Sequence, residues 1–192
     1  MNIQHKHIRM IEDAGQGAPV AFLRSSEPAA AKAIEILKKD FRVVTFDVGA
    51  AISPEGEAEL LGAFARLGTS VGIISTGALA QQVLKLALQH PDVANAIVLI
   101  APPAIADQKL AAELAGLKPP VLTLFGSKGG ATAPEARRVY RQAIPKSHLM
   151  FVYDTDDGLA EQRPEAVAAA LRDFMTVREG FLVTTRSAKL YP

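Results

Sequence analysis

Three groups of residues in this chain could do chemistry. The first is Ser75-Thr76-Gly77, where the apolar run Ser70 to Ile74, which reads as a buried strand, meets a helical run from Ala78 to His90. A strand that turns sharply into a helix can hold a serine nucleophile clear of the backbone, in the pattern Gly-x-Ser-x-Gly. Only the second half of that pattern is present, and the tip of the turn falls on Gly77. A nucleophile shifted to Ser75 would also need a base. His5 and His7 fall on an opening strand, His90 at the far end of the helix and His148 at the start of a strand, and each reads as a surface or capping histidine. The competing reading is structural, with Ser75 ending the strand and Thr76 capping the helix. The second group is Asp154, Asp156, Asp157 and Glu161, whose oxygens could hold a hard cation. Their spacing is not that of an EF-hand loop, so they read as a solvated acidic loop and no metal is assigned. The third is Arg24-Ser25. Arg24 could hold a small anion beside the N–H groups at the Ala78 helix start, or pair with an acid of the 154–157 loop.

The elements that must position these residues alternate along the chain. Val20–Leu23, Arg42–Phe46, Val71–Ile74, Ala96–Ile100, Val121–Phe125 and Leu149–Tyr153 read as strands. Between them Pro28–Lys39, a helix opened by Ser53-Pro54, Ala78–His90, Pro134–Ala143 and Pro164–Met175 read as helices. His5–Ile11 with Gly15-Gln16-Gly17 reads as an antiparallel opening strand and turn. The strands are near-continuously apolar, which suits a mostly parallel sheet with helices on both faces. At 192 residues, 49% hydrophobic and 21% charged, the chain is one soluble-type globular unit with enough length for a sizeable core. A net charge of +1 gives no global field for nucleic acid or anionic lipid. The absence of cysteine excludes disulfides, a thiolate nucleophile and thiolate-bound metal. Met1–His7 has no apolar core of a signal peptide, and no run approaches the roughly 20 apolar residues of a membrane span, so a cytoplasmic protein is expected.

The stretch Val71 to Ala80, continued by Leu86 to Pro91, Ala96 to Pro102 and Pro120 to Gly126, resembles the core of the α/β-hydrolase family. Ala143-Ile144-Pro145, Glu161 to Glu165 and, upstream, Phe46-Asp47-Val48-Gly49 extend the likeness over residues 8 to 175. The resemblance implies an α/β-hydrolase-like fold. It also implies where a catalytic triad would stand. The nucleophile position falls on Gly77, the acid on Gly129 and the histidine on Asp157. The family's histidine-glycine pair after its third strand corresponds to Arg24-Ser25. Glycine cannot attack a carbonyl or orient an imidazole, so no catalytic residue is assigned. Only Ala104 to Leu117 stands where many members insert a helical cap. No cap domain is therefore expected, and a pocket over Gly77 should be shallow and open.

The family framework ends near Met175, leaving residues 176–192 as an extension. Gly180 to Thr185 reads as a strand, and Phe181, Leu182, Leu190 and Tyr191 argue that the extension docks. Residues 180–191 could pair with a second copy, a partner protein or the chain's own sheet edge. The expectation is a non-catalytic α/β-hydrolase-fold binding or interaction module without a cofactor. Its candidate binding residues are Arg24, Ser25, Ser75, Thr76, Gly77, Ala78, Asp156 and Asp157. The alternative is a small-molecule or ester hydrolase with an atypical site near Ser75.

Overall fold

The apolar runs assemble into one eight-stranded sheet. In a computed structural model, residues 7–25, 29–68, 70–129, 133–183 and 187–190 are described. The strands are β1 (Arg9–Ala14), β2 (Pro19–Arg24), β3 (Arg42–Asp47), β4 (Val71–Thr76), β5 (Ala94–Ile100), β6 (Val121–Gly126), β7 (Ser147–Val152) and β8 (Ser187–Leu190), in the order β1-β3-β2-β4-β5-β6-β7-β8. β1 is antiparallel to β3, and all other neighbours are parallel. Successive side chains of a strand face opposite sides, so each central strand feeds two cores. In β4, Val71 and Ile73 enter one and Ile74 the other.

Helices cover both faces, because parallel crossovers must return over the sheet. α2 (Pro54–Leu67), α3 (Leu79–Gln89), α4 (Gln108–Glu113) and α5 (Ala133–Ala143) bury Leu60, Val83, Leu110 and Tyr140 on one face. α1 (Ala31–Leu37), α6 (Leu159–Gln162) and α7 (Pro164–Val177) bury Ile34, Leu159 and Phe174 on the other. Ser53 caps α2 as its position before Pro54 predicts, accepting from the Gly56 N–H at 3.0 Å. The 104–117 stretch holds α4 and one short 3-10 turn before the chain enters β6, so no cap domain stands over the sheet.

Local pattern misplaces three elements. The opening strand starts at Arg9, later than His5, of which residues 5 and 6 lie outside the described set. β1 is exposed along most of its length, with Met10 61% exposed, so no buried face marks its register. The helix expected from Pro28 begins at Ala31, after Ala30 adopts a left-handed conformation at φ 68°. In the extension, Arg178–Val183 forms a 3-10 helix where a strand was expected, and the strand is Ser187–Leu190; Thr184, Thr185, Tyr191 and Pro192 lie outside the described residues. Its place follows from β7, which offers Leu149–Val152 as partners and would otherwise be an unpaired edge. Phe181 packs edge-on against Phe174 and His148, with ring centroids 5.5 and 4.9 Å apart.

Candidate functional site

The carboxyl ends of the central parallel strands open into a cavity of about 620 Å³. Ligands of open α/β sheets sit at this end of the strands. Gly77, at the turn between β4 and α3, lines it with φ +54°. Its N–H donates to the Ile100 carbonyl at 2.9 Å, which pins the turn to β5. A Cβ built on Gly77 meets no atom within 4 Å. A side chain there would stand in the cavity, and the residue that occupies the turn supplies none.

Left-handed backbone recurs around the cavity. Ala30 (φ 68°) and Ala101 (φ 48°) also line it. Both are non-glycine residues, for which this conformation is uncommon and strained. Pro102, Pro103 and Ala104 continue one wall from Ala101, and Ala29, Ala50, Phe125 and Ala136 add apolar surface. Two glutamines of α3 hold the walls. Gln82 accepts from the Ile52 N–H at 2.6 Å and donates to the Ala50 carbonyl at 3.4 Å, while Gln81 donates to the Ala104 carbonyl at 3.1 Å. Tyr140, buried in α5, donates its hydroxyl to the Pro103 carbonyl at 3.0 Å, and burial pushes its pKa up. With no cap over the sheet, these loops build the walls of the cavity. Sequence inspection missed Gln81, Gln82 and Tyr140, whose roles depend on loops distant in the chain; Pro102-Pro103 was the one readable mark of that wall.

The anticipated residues separate. Ser25, Thr76, Gly77, Ala78 and Asp157 line the cavity. Ser75 does not: it is fully buried in β4 and its hydroxyl has no hydrogen-bond partner. Strand alternation turns it into the core beside α3, so the atypical site loses its proposed nucleophile. Thr76 lines the cavity rather than capping α3, whose cap residue is Ala78 with no side-chain hydrogen bond. Asp156 is not in the wall; its carboxylate accepts from the Gly158 N–H and the Gln162 amide, both at 2.7 Å, and so shapes its own loop. Arg24 is not in the wall either. Its Nε is buried without a partner, and it forms no ion pair with the acidic loop among the described residues.

The acidic loop passes close to the end of β6. A Cβ on Gly126 would lie 2.2 Å from the Asp156 carbonyl oxygen and 2.4 Å from that of Thr155, so only glycine allows the approach. Lys128 pairs with Asp154 and holds its carboxyl below the usual carboxylate range. Gly129, where the family resemblance puts the triad acid, donates its N–H back to the Gly126 carbonyl at 3.3 Å. Glu161 lines the cavity and also accepts from the Lys32 N–H at 3.3 Å, at the start of α1. Asp157, where the family resemblance puts the triad histidine, makes no hydrogen bond or ion pair among the described residues. Among the described residues, no group of three or more histidines or carboxylates could hold a metal ion.

No described histidine reaches the cavity. His7 approaches the Ser53 hydroxyl at 3.3 Å and His90 pairs with Glu57 at 3.0 Å, while His5 lies outside the described residues. His148 is not a surface or capping residue as expected. It is 2% exposed in β7, its Nδ1 has no partner, and burial pushes its pKa down. Among the described residues no helix is long and apolar enough to cross a membrane.

No family model matches the chain, and no curated protein matches it in sequence. Solved structures do match in shape. A thermophilic esterase from Thermogutta terrifontis superposes with TM-score 0.71 at 14% identity, over 88% of this chain and 93% of that one. MGS-MChE2, an alpha/beta hydrolase enzyme from the metagenome of sediments of the Mar Chica lagoon in Morocco, gives TM-score 0.73 at 13% identity, over 86% and 93%. Carboxylesterase CesB from Bacillus subtilis gives 0.65 at 15%, over 84% and 85%. A mostly parallel sheet with helices on both faces, a strand–turn–helix junction at Gly77 and these superpositions agree: the chain has the α/β-hydrolase fold.

Proposed function

We propose that this protein is a non-catalytic member of its fold class that binds a small, largely apolar ligand at the Gly77 turn. The observation that carries the reading is Gly77 itself. The turn that would raise a nucleophile keeps its left-handed backbone and faces an open cavity of about 620 Å³, within the size range of ligand pockets. Serine-type acyl transfer needs a hydroxyl activated by a neighbouring base. The cavity hydroxyls are Ser25 and Thr76, and no described histidine lies beside them. The ionisable groups in the wall are the carboxylates of Asp157 and Glu161, which favour a neutral or cationic guest over an anion. The structural neighbours are named as enzymes, and at such low identity that likeness extends to the fold alone.

The decisive experiment exposes the full chain to a fluorophosphonate probe and to 4-nitrophenyl acetate, with intact-mass readout. The expected result is no adduct and turnover at the background of a protein surface. An adduct on Ser25, Ser75 or Thr76 overturns the reading. The interaction side of the proposal rests on β8, which ends the sheet with an unpaired strand edge among the described residues. A second copy could add its own edge there. Light scattering of the full chain across a concentration series tests this, and a monomer throughout refutes it.

A further inference from the structure

A second cleft, of about 580 Å³, lies between α5 and β7 on the sheet face opposite α7. Its chemistry is the reverse of the first. Arg137, Arg138 and Arg141 line it, with Leu149 and Phe151 as apolar surface and the Ser147 hydroxyl beside them. Arg137 is held in place: its guanidinium carbon sits 4.7 Å from the Phe151 ring centroid, and Nη2 donates to the Gly126 carbonyl at 2.8 Å. Its Nε is buried and has no partner. Arg138 is paired with Glu135 at 2.7 Å. Arg141, one turn beyond Arg137, is exposed and makes no ion pair among the described residues.

Two like charges one helical turn apart repel each other. No described acid balances this pair; the stacking on Phe151 and the bond to Gly126 fix the charge of Arg137 in place, and the exposed guanidinium of Arg141 supplies the accessible fork. A guanidinium fork matches the planar carboxylate and the phosphate group, to which it can donate in bidentate fashion. The apolar floor at Leu149 and Phe151 suits the body of a small molecule, and the volume is within the range of small-ligand sites. We propose that this cleft binds a small organic anion. Arg141 and Arg137 hold its carboxylate or phosphate monoester group, and Leu149 and Phe151 receive its apolar body.

The test is a titration of the isotope-labelled full chain, followed by amide NMR, with phenyl phosphate, benzoate and neutral benzyl alcohol in low salt. The two anions should shift amides of residues 137–151, and benzyl alcohol should not. Arg141→Gln, an exposed position whose change leaves the fold intact, should weaken binding about tenfold or more. Arg141→Lys keeps the charge and loses the fork, so it should fall between. Added salt should weaken the anions and leave the folded state unchanged. The proposal is overturned if no saturable shift appears up to about 10 mM, or if Arg141→Gln binds as tightly as the parent. It is equally overturned if benzyl alcohol binds as well as the anions, or if the shifts map to residues 157–161 at the first cleft.

Discussion

Placing a serine at Gly77 probes the candidate site most directly. Gly77 has φ +54°, and a Cβ there meets nothing within 4 Å. Gly77→Ser therefore adds no collision, only the left-handed strain of a residue with a Cβ, about 1–2 kcal/mol. For a domain of this size 1 kcal/mol moves the melting temperature about 2–4 °C, so a loss of about 2–8 °C is expected. Gly126→Ala is the internal comparison. Its Cβ would meet the backbone carbonyl oxygens of Asp156 and Thr155 at 2.2 and 2.4 Å. The acidic loop would have to move bodily, and the loss should exceed that of Gly77→Ser. Thermal melts by circular dichroism order the two variants. The same Gly77→Ser sample should not hydrolyse 4-nitrophenyl acetate above background, because a serine without a base is a weak nucleophile. The triple change Gly77→Ser, Gly129→Asp, Asp157→His is the variant in which the triad positions implied by the family resemblance could support turnover. If Gly77→Ser melted below Gly126→Ala, the space at the turn would not be open as described. Strong ester turnover by the single variant would mean that a base stands near the turn, and the reasoning would fail.

Burial holds the His148 pKa below its ordinary value near 6.5, so between those two values the unfolded chain binds more protons than the folded one. Stability should be fully present above about pH 6.5 and decline as pH falls toward the lowered value, and His148→Leu should flatten that slope in urea titrations; an unchanged slope would place the origin elsewhere. Tyr140→Phe removes the hydrogen bond to Pro103 and should lower stability by about 0.5–1.5 kcal/mol, read as a shifted denaturation midpoint at constant m-value. Deleting residues 180–192 removes β8 and the Phe181 contacts to Phe174 and His148, where burying one large side chain contributes about 1.5–3 kcal/mol. The truncated chain should melt lower, and a match to the parent would make the extension passive.

The sequence by itself determined the parallel sheet, the helices on both faces, the missing cap and the glycine at the turn. These follow from apolar runs, caps and motif spacing, all carried by neighbours along the chain. Ser53-Pro54 opens α2 by local hydrogen bonding alone, and no packing is needed to foresee it. What the hydroxyls and charges do was decided only by tertiary structure. Ser75 and Thr76 are adjacent in sequence, yet strand alternation sends one into the core and the other to the cavity. Asp156 and Asp157 differ in the same way, one closing its own loop and the other facing the cleft. Arg24 and His148 look like surface groups in the sequence, and both carry a buried nitrogen without a partner. β8 took its register from the exposed edge of β7, about 35 residues earlier, rather than from the Val183-Thr184-Thr185 run that local propensity favours. Local interactions select which elements form, whereas the direction of a side chain and the partner of an edge strand depend on surfaces that exist only once the chain has folded.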